Sequence, residues 1–549
     1  MKQTKFKKVI SIALLFSFII TSFGLTGCTA DPQEELKQIS FAYTLTEQDV
    51  QDTFDAITQL ETYIDGGKNR KIVSAYEEMD EKTDYIVHQY VSAEIAYYSD
   101  LSDDDAYETY VEAEDCHMDV REEYMRVMKK LYDSDLSAKD KIFEDWTKQQ
   151  LKELETAGAE VINLERQQNE LLREYLELED PESKAWSNAV EDIYFNHITV
   201  SQQLAEYYGY DNFYDYMANE IYMRQYTDEQ REAFRKNVKE QILPFYVEVA
   251  ALYDEKRAQL NDEQKAQLSA LRKDACLASN EYLTGYINSY PDEMKTIMGN
   301  AFTREAAVYT QSDDAHFLAF SNYSEYYDQP FVFFGNQCQD LLTVVHELGH
   351  YASFYHFTDA TLPYDTCEVH SQANEWLMLH YLGDELDRDV YEAFLLWRLE
   401  YGLNTILVCT VVDEFEELVY KENALTSPEA FRTIFYKVLD GYENIASVMD
   451  YEDYYIYTQR VTMQSPVYYL SYATSELVSM LFYTIAEEQG YEAAQEIYID
   501  LCLETPIGEL FFHTLMDVGL PNPFEADTVD NIIHAYDQLF AENMLNQAA

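Results

Sequence analysis

Apolar residues return every three or four positions through most of this 549-residue chain, and no other feature limits its fold as strongly. Val87, Val91, Ile95 and Tyr98 form one such series, and Leu154, Ala157, Val161 and Leu164 another. That spacing lines one face of an α-helix. Breaks are rare, with 16 Gly and 11 Pro in the whole length. Turn residues at Asp65-Gly66-Gly67, Asp180-Pro181 and Tyr290-Pro291 separate long helical runs. A typical domain of about 150 residues would divide the chain into three or four, yet no linker or short-period repeat marks such divisions. The expectation is a mainly α protein: one large two-lobed body around a cleft, with a helical region over 36–290 and a second region over 291–549 that carries the chemistry.

One stretch breaks the helical texture. Between Met298 and Asn336, Ala306-Ala307-Val308-Tyr309, His316 to Phe320 and Phe331-Val332-Phe333-Phe334 are short aromatic or β-branched runs bounded by polar residues. They predict one small β-sheet. Helical spacing resumes at Asp340.

The beginning of the chain reads as an address. Lys2, Lys5, Lys7 and Lys8 precede an apolar run from Val9 to Phe23, the order of a bacterial export signal and short for a membrane span. Leu25-Thr26-Gly27-Cys28 resembles the lipobox of bacterial lipoproteins. That resemblance implies a signal over 1–27, a lipidated Cys28, a short tether over 28–35 and a body held outside the cytoplasmic membrane by its N-terminal lipid. The formal charge of −64 repels phosphate backbones and argues against a nucleic-acid partner. The other six Cys form no CxxC pair and are too sparse for a disulfide scaffold, so buried thiols are expected.

Chemistry concentrates in two places. His346-Glu347-Leu348-Gly349-His350 has the HExxH form, in which two His one turn apart on a helix can chelate a single zinc ion. Glu347 stands beside that face as a candidate general base toward water. Gly349 is expected to keep the face clear for metal and substrate, since glycine inside a helix costs about 1 kcal/mol. A second helix is predicted from near Glu368 to Gly383, and Glu368, 22 residues beyond His346, is the candidate third ligand. The fourth position stays open, as in a catalytic site. Glu375, two turns on, faces the same way as Glu368 and is placed to orient a ligating His. His370 and His356 point elsewhere and are read as packing or surface residues.

Taken together, Asp340 to Val345 leading into HELGH, the Glu368 to Glu375 block with Ser371, and Val467-Tyr468-Tyr469-Leu470-Ser471-Tyr472-Ala473-Thr474 resemble the oligoendopeptidase F branch of the thimet-oligopeptidase family. Weaker similarity reaches Tyr207 to Tyr210, Tyr226-Thr227, Thr505-Pro506-Ile507 and Asp517-Val518-Gly519. The resemblance implies a helical body around a deep channel, one zinc ion per chain, oligopeptide substrates and endopeptidase activity. It implies an edge strand at Phe331 to Phe334 for extended substrate, a Tyr472 hydroxyl that donates to the oxyanion, and Tyr468 and Tyr469 as substrate contacts. Two departures stand out. No His occurs in Arg460 to Ser465 before the tyrosine-rich segment, and Ser353 replaces a His often found three residues after HELGH. Two other readings compete: a zinc exopeptidase, and a peptide-binding lipoprotein that has lost catalysis. The retained Glu347 argues against the last, because a binder needs no base.

Overall fold

Thr46 and Thr227 start helices by the same device. Each side-chain oxygen accepts the backbone N–H three residues on, and Asp49 or Gln230 there returns a bond to the capping backbone, which satisfies donors the helix itself leaves open. The computed structural model describes residues 38–544 except 145, 147, 157, 179–182, 274–280, 311, 337, 356–361, 443–444, 446–460 and 507. Cys28, Cys276 and His356 therefore lie outside the described residues, as does the Asp180-Pro181 turn.

The longer helices are α1 (Glu47–Asp65), α2 (Asn69–Ser99), α3 (Asp104–Tyr132), α4 (Ala159–Leu176), α5 (Lys184–Tyr207), α6 (Asp228–Asn237) and α7 (Leu243–Gln259), followed after the sheet by α8 (Leu341–Ser353), α9 (Tyr364–Tyr381), α10 (Arg388–Tyr420), α11 (Tyr469–Gln489), α12 (Tyr491–Leu503) and α13 (Ala526–Met544). Helices α1, α2 and α3 pack on one another around a core of their own that includes Ile57, Leu60, Ile72, Met79, Tyr124 and Met128. The far end of α2, from Val91, joins the main core, which runs through α5 and α10 to α13.

Burial decides which helices keep the amphipathic pattern. In α9 every residue from Asp365 to Leu379 is buried, because α8, α11 and α12 pack around it. A helix covered on all sides has no polar face to show. Helix α10 is apolar and long enough to cross a membrane by composition, but 78% of that apolar window is buried inside the protein, which makes it a core helix. Its charged positions reach inward to named partners: Asp413 and Glu417 pair with Arg235 and Arg231 of α6.

The expected sheet is present with three strands, β1 (Ala307–Tyr309), β2 (Ala319–Ser324) and β3 (Gln329–Phe334), in the order β1-β3-β2. Strand β3 runs parallel to β1 and antiparallel to β2, with Phe333 opposite both Val308 and Phe320. Phe331 to Phe334 therefore occupy the central strand, and the expectation of an edge strand there is corrected. Their backbone groups are used on both sides, so a peptide could add only at β1 or β2. The cause is sequence order: the Glu325–Asp328 turn, with Asp328 at φ 54°, folds β2 back on β3, while β1 arrives in parallel from a separate segment. Strand β2 begins at Ala319, three residues later than the run at His316 suggested.

Candidate metal centre

Helix α8 is set by its first turn, where the Asp340 carboxylate accepts the N–H groups of Leu342 and Thr343 at 3.1 and 3.2 Å. From there His346 and His350 fall one turn apart, with ring centroids separated by 5.1 Å. Helix α9 begins at Tyr364, behind Pro363, one turn earlier than the sequence pattern indicated. Asn374 of α9 donates to the Val345 carbonyl at 2.7 Å and fixes the two helices in register. Gly349 is needed for this approach. A Cβ there would lie 2.4 Å from the His370 carbonyl oxygen and 2.8 Å from Ser371 Cα, so the glycine admits the backbone of α9, a different task from the clearing of the metal face expected above.

The crossing brings His346, His350 and Glu368 together, with one ligand atom from each mutually within 4.8 Å. Glu368 Oε2 stands 3.7 Å from His346 Nε2 and 3.8 Å from His350 Nε2. All three side chains are buried. His346 Nε2 is enclosed and has no hydrogen-bond partner, an arrangement that costs free energy unless something occupies the space between the donors. Two imidazoles and one carboxylate fit a divalent metal of the zinc type.

A buried chain of charge stands behind the site. His346 Nδ1 lies 2.8 Å from Glu375 Oε1, and Glu375 Oε2 lies 3.0 Å from Arg398 Nε. Arg398 in turn makes a fork of two bonds, 2.8 and 3.1 Å, to Glu476, which also accepts the Trp376 indole N–H at 3.1 Å. With the Nδ1 proton directed at Glu375, His346 presents Nε2 to a metal. Glu375 thus has the position the sequence suggested, while Arg398 and Glu476 were not anticipated. Glu476 is a lone charge in an apolar helical run and Arg398 is flanked by Trp397 and Leu399, and such a charge must find a partner when buried.

Burial and charge also set the protonation of the centre. Burial works against charging His346, but the bond and charge of Glu375, with Glu368 and Glu347, outweigh it and lift the imidazole to about 9. His350 is pushed well below its ordinary value by burial and by the neighbouring His346. Burial lifts the Glu368 carboxyl to about 7 against the opposing pull of His346, Tyr468 and Ser371. Glu347 is likewise raised to about 7, burial being the chief cause. Its carboxylate accepts the Ser321 hydroxyl of β2 at 2.8 Å, and the same hydroxyl lies 2.8 Å from the Glu347 carbonyl.

The tyrosine-rich segment closes the site. The Tyr468 hydroxyl donates to Glu368 Oε1, so this residue supports a ligand. Tyr472 is fully buried, its hydroxyl has no hydrogen-bond partner, and burial, with the charges of Glu368 and Glu347, holds that hydroxyl well above its usual value. Tyr469 is buried with its ring centroid 6.4 Å from that of Tyr472. Ser353 donates to the His350 carbonyl within its own turn. His370 is a packing residue whose Nε2 lies 3.1 Å from the Leu501 carbonyl. Cys338 and Cys367 are not bridged to one another.

The whole architecture is similar to solved peptidase structures. PZ peptidase A, solved with an inhibitor, matches with a TM-score of 0.67 at 17% identity, over 91% of this chain and 99% of that one. A protein of Bacillus anthracis str. Ames assigned as an oligoendopeptidase F matches with 0.64 at 17% identity, over 94% and 98%. Oligoendopeptidase-F from Enterococcus faecium matches with 0.58 at 13% identity, over 91% and 99%. The chain shares their fold along nearly its full length. No protein-family model and no curated protein matches it.

Proposed function

We propose that this chain is a zinc-dependent endopeptidase of oligopeptides, held by a lipid at Cys28 outside the cytoplasmic membrane. The observation that carries the reading is the convergence of His346, His350 and Glu368, with Glu347 beside them and Glu375 behind His346. Shared fold with the oligoendopeptidases supports the substrate class. The three ligands would hold zinc, which when bound supplies Lewis acidity toward a scissile carbonyl and toward water.

The protein's own groups do the rest. Glu347, raised to about 7 by burial, is poised near neutrality to take a proton from attacking water and pass it to the leaving amine. Ser321 holds that carboxylate in one orientation. Tyr472 offers a desolvated hydroxyl with no competing acceptor, suited to the oxyanion as the carbonyl carbon becomes tetrahedral. With no His in the Arg460 to Ser465 stretch, this hydroxyl is the chain's main protein donor for that charge. Glu375 and Arg398 keep His346 in the ligating tautomer.

The direct test is the soluble form from Thr29 onward, analysed for bound metal and assayed on a mixed peptide library beside Glu347→Gln. Expected are about one zinc per chain in both and internal cleavage by the parent alone. Products trimmed only from one end would replace the endopeptidase with an exopeptidase. Zinc without cleavage would leave a peptide-binding lipoprotein.

A further inference from the structure

Val467 has φ +67°, a left-handed conformation that a β-branched residue adopts only when its surroundings force it. The strained turn lies at the mouth of α11, one residue before Tyr468, whose hydroxyl reaches the ligand carboxylate Glu368. Three bonds pin it. Val467 N–H donates to Glu416 of α10 at 2.9 Å, Tyr222 hydroxyl to the Pro466 carbonyl at 2.8 Å, and Arg224 Nη2 to the Tyr468 carbonyl at 2.9 Å.

Two of the three come from one short segment, Tyr222 to Tyr226, far back in the chain. Arg224 also donates to Ser471 Oγ at 3.0 Å and places its Nε 3.8 Å from Asp365 of α9. Tyr226 donates to the same Asp365 at 3.4 Å, and the Tyr364 N–H to the Tyr222 carbonyl at 3.3 Å. The Tyr222 ring meets Tyr468 and Tyr364 edge-on at 5.3 and 5.1 Å. The segment thus grips the first turns of α9, which carries Glu368, and α11, which carries Tyr472. Arg224 is buried at 4% exposure. A cation at the start of α11 meets the positive end of the helix dipole, and removing it from water adds a further cost. Helix stability alone does not explain its place; the geometry it imposes does.

We infer that Arg224 is a positioning residue of the metal site: it holds the strained turn at Val467 so that Tyr468 stays bonded to Glu368, and so makes the segment 222–226 part of the centre. The inference rests on the metal-site reading above. It is tested on the chain from Thr29 onward, loaded with zinc, through the rate of zinc release to a chelator in Arg224→Gln, Tyr468→Phe and the double variant, with kcat and KM measured alongside. Arg224→Gln should release zinc about tenfold faster, as loss of support behind a ligand does, and lower kcat with KM nearly unchanged. In the Tyr468→Phe background the same change should add little, because both act through one bond. Arg224→Lys should recover part of the loss and carries the same cycle if the Gln variant does not fold. Parental release by the Arg224 variants, or effects that multiply in the double variant, overturns the inference. A parent that retains zinc but cleaves nothing sinks the peptidase reading while leaving this one standing on release rates; a parent that takes up no zinc overturns both.

Discussion

Glu347 stands outside the converging set of His346, His350 and Glu368 in the candidate metal centre, so its replacement separates metal binding from chemistry. Glu347→Gln keeps the shape and the Ser321 contact but cannot accept a proton. It should hold about one zinc per chain and lose about a hundred- to ten-thousandfold in kcat, measured with metal content confirmed on the assayed sample; substantial turnover would move the base elsewhere. Tyr472→Phe asks a narrower question, since the hydroxyl has no partner to lose and Phe preserves the packing. The expected loss is about a hundred- to a thousandfold in kcat with KM little changed, and Tyr469→Phe, buried next to it, is the control. At this scale the sequence was informative where chemistry has a spacing. His346, Glu347, His350, Glu368 and Glu375 are legible because their helix positions fix their faces. Ser321, Arg398 and Arg224 were not, because each reaches the centre from a distant segment and only folding makes them neighbours.

Elements fix the centre by how closely they approach. Alanine at an interior helix position ordinarily stabilises by about 1 kcal/mol relative to glycine, so Gly349→Ala has an informative sign. A Cβ 2.4 Å from a backbone oxygen of α9 cannot be relieved by turning a side chain, and forcing the helices apart should cost about 1 to 3 kcal/mol. A lower Tm and faster zinc release are expected; an unchanged or higher Tm would show that α8 and α9 can separate freely. A second contact, between α2 and the β2–β3 turn, is acidic on both sides. Burial, then the charges of Asp80 and Glu81, pushes Asp84 up to about 8. Burial brings Asp80 to about 6 against bonds from Tyr124 and Tyr76. Burial, Asp84, Asp328 and Asp80 raise Glu325 in the turn well above its usual range. A carboxyl whose folded value is raised favours folding fully below its ordinary value near 4, and the advantage is lost as pH rises through 8. Asp84→Asn should therefore raise Tm at pH 8.5 and leave it nearly unchanged at pH 4, read from melting curves across that range. The reverse order would place Asp84 in an ion pair. Helix periodicity made the helices legible and local composition found the strands, but strand order was not, because which strand lies at the edge depends on pairing between segments.

For the molecule as a whole, the imbalance of 102 acidic against 38 basic residues is sharpened by where the cations go. Arg121, Arg224, Arg231, Arg235, Lys256 and Arg398 are all buried, facing Glu165, Asp365, Glu417, Asp413, Glu392 and the Glu375–Glu476 pair respectively. Cations that hold the interior together are thereby withdrawn from a surface that already lacks them. Salt acts on the two populations differently. Buried pairs are screened little by salt, so their contribution, set against the cost of desolvation, hardly changes with it, whereas repulsion among surface carboxylates destabilises the compact state and is screened strongly. Exposed pairs such as Arg126–Glu123 and Lys236–Glu240 are each worth about 0 to 1 kcal/mol at most and are outnumbered by like-charge neighbours. Raising NaCl from 10 to 500 mM is therefore expected to raise Tm by about 1 to 2 °C at pH 7.5, the effect of about 1 to 2 kcal/mol in a protein this size. Most of the rise should come below about 0.15 M, where the screening length has already fallen to about 8 Å. KCl should act like NaCl, since screening depends on ionic strength and not on the ion, and the comparison is made at fixed zinc loading so that metal binding does not shift the melt. A Tm that falls with salt would mean that surface ion pairs outweigh the repulsion. A rise confined to molar concentrations would point to preferential exclusion of salt from the surface in place of charge.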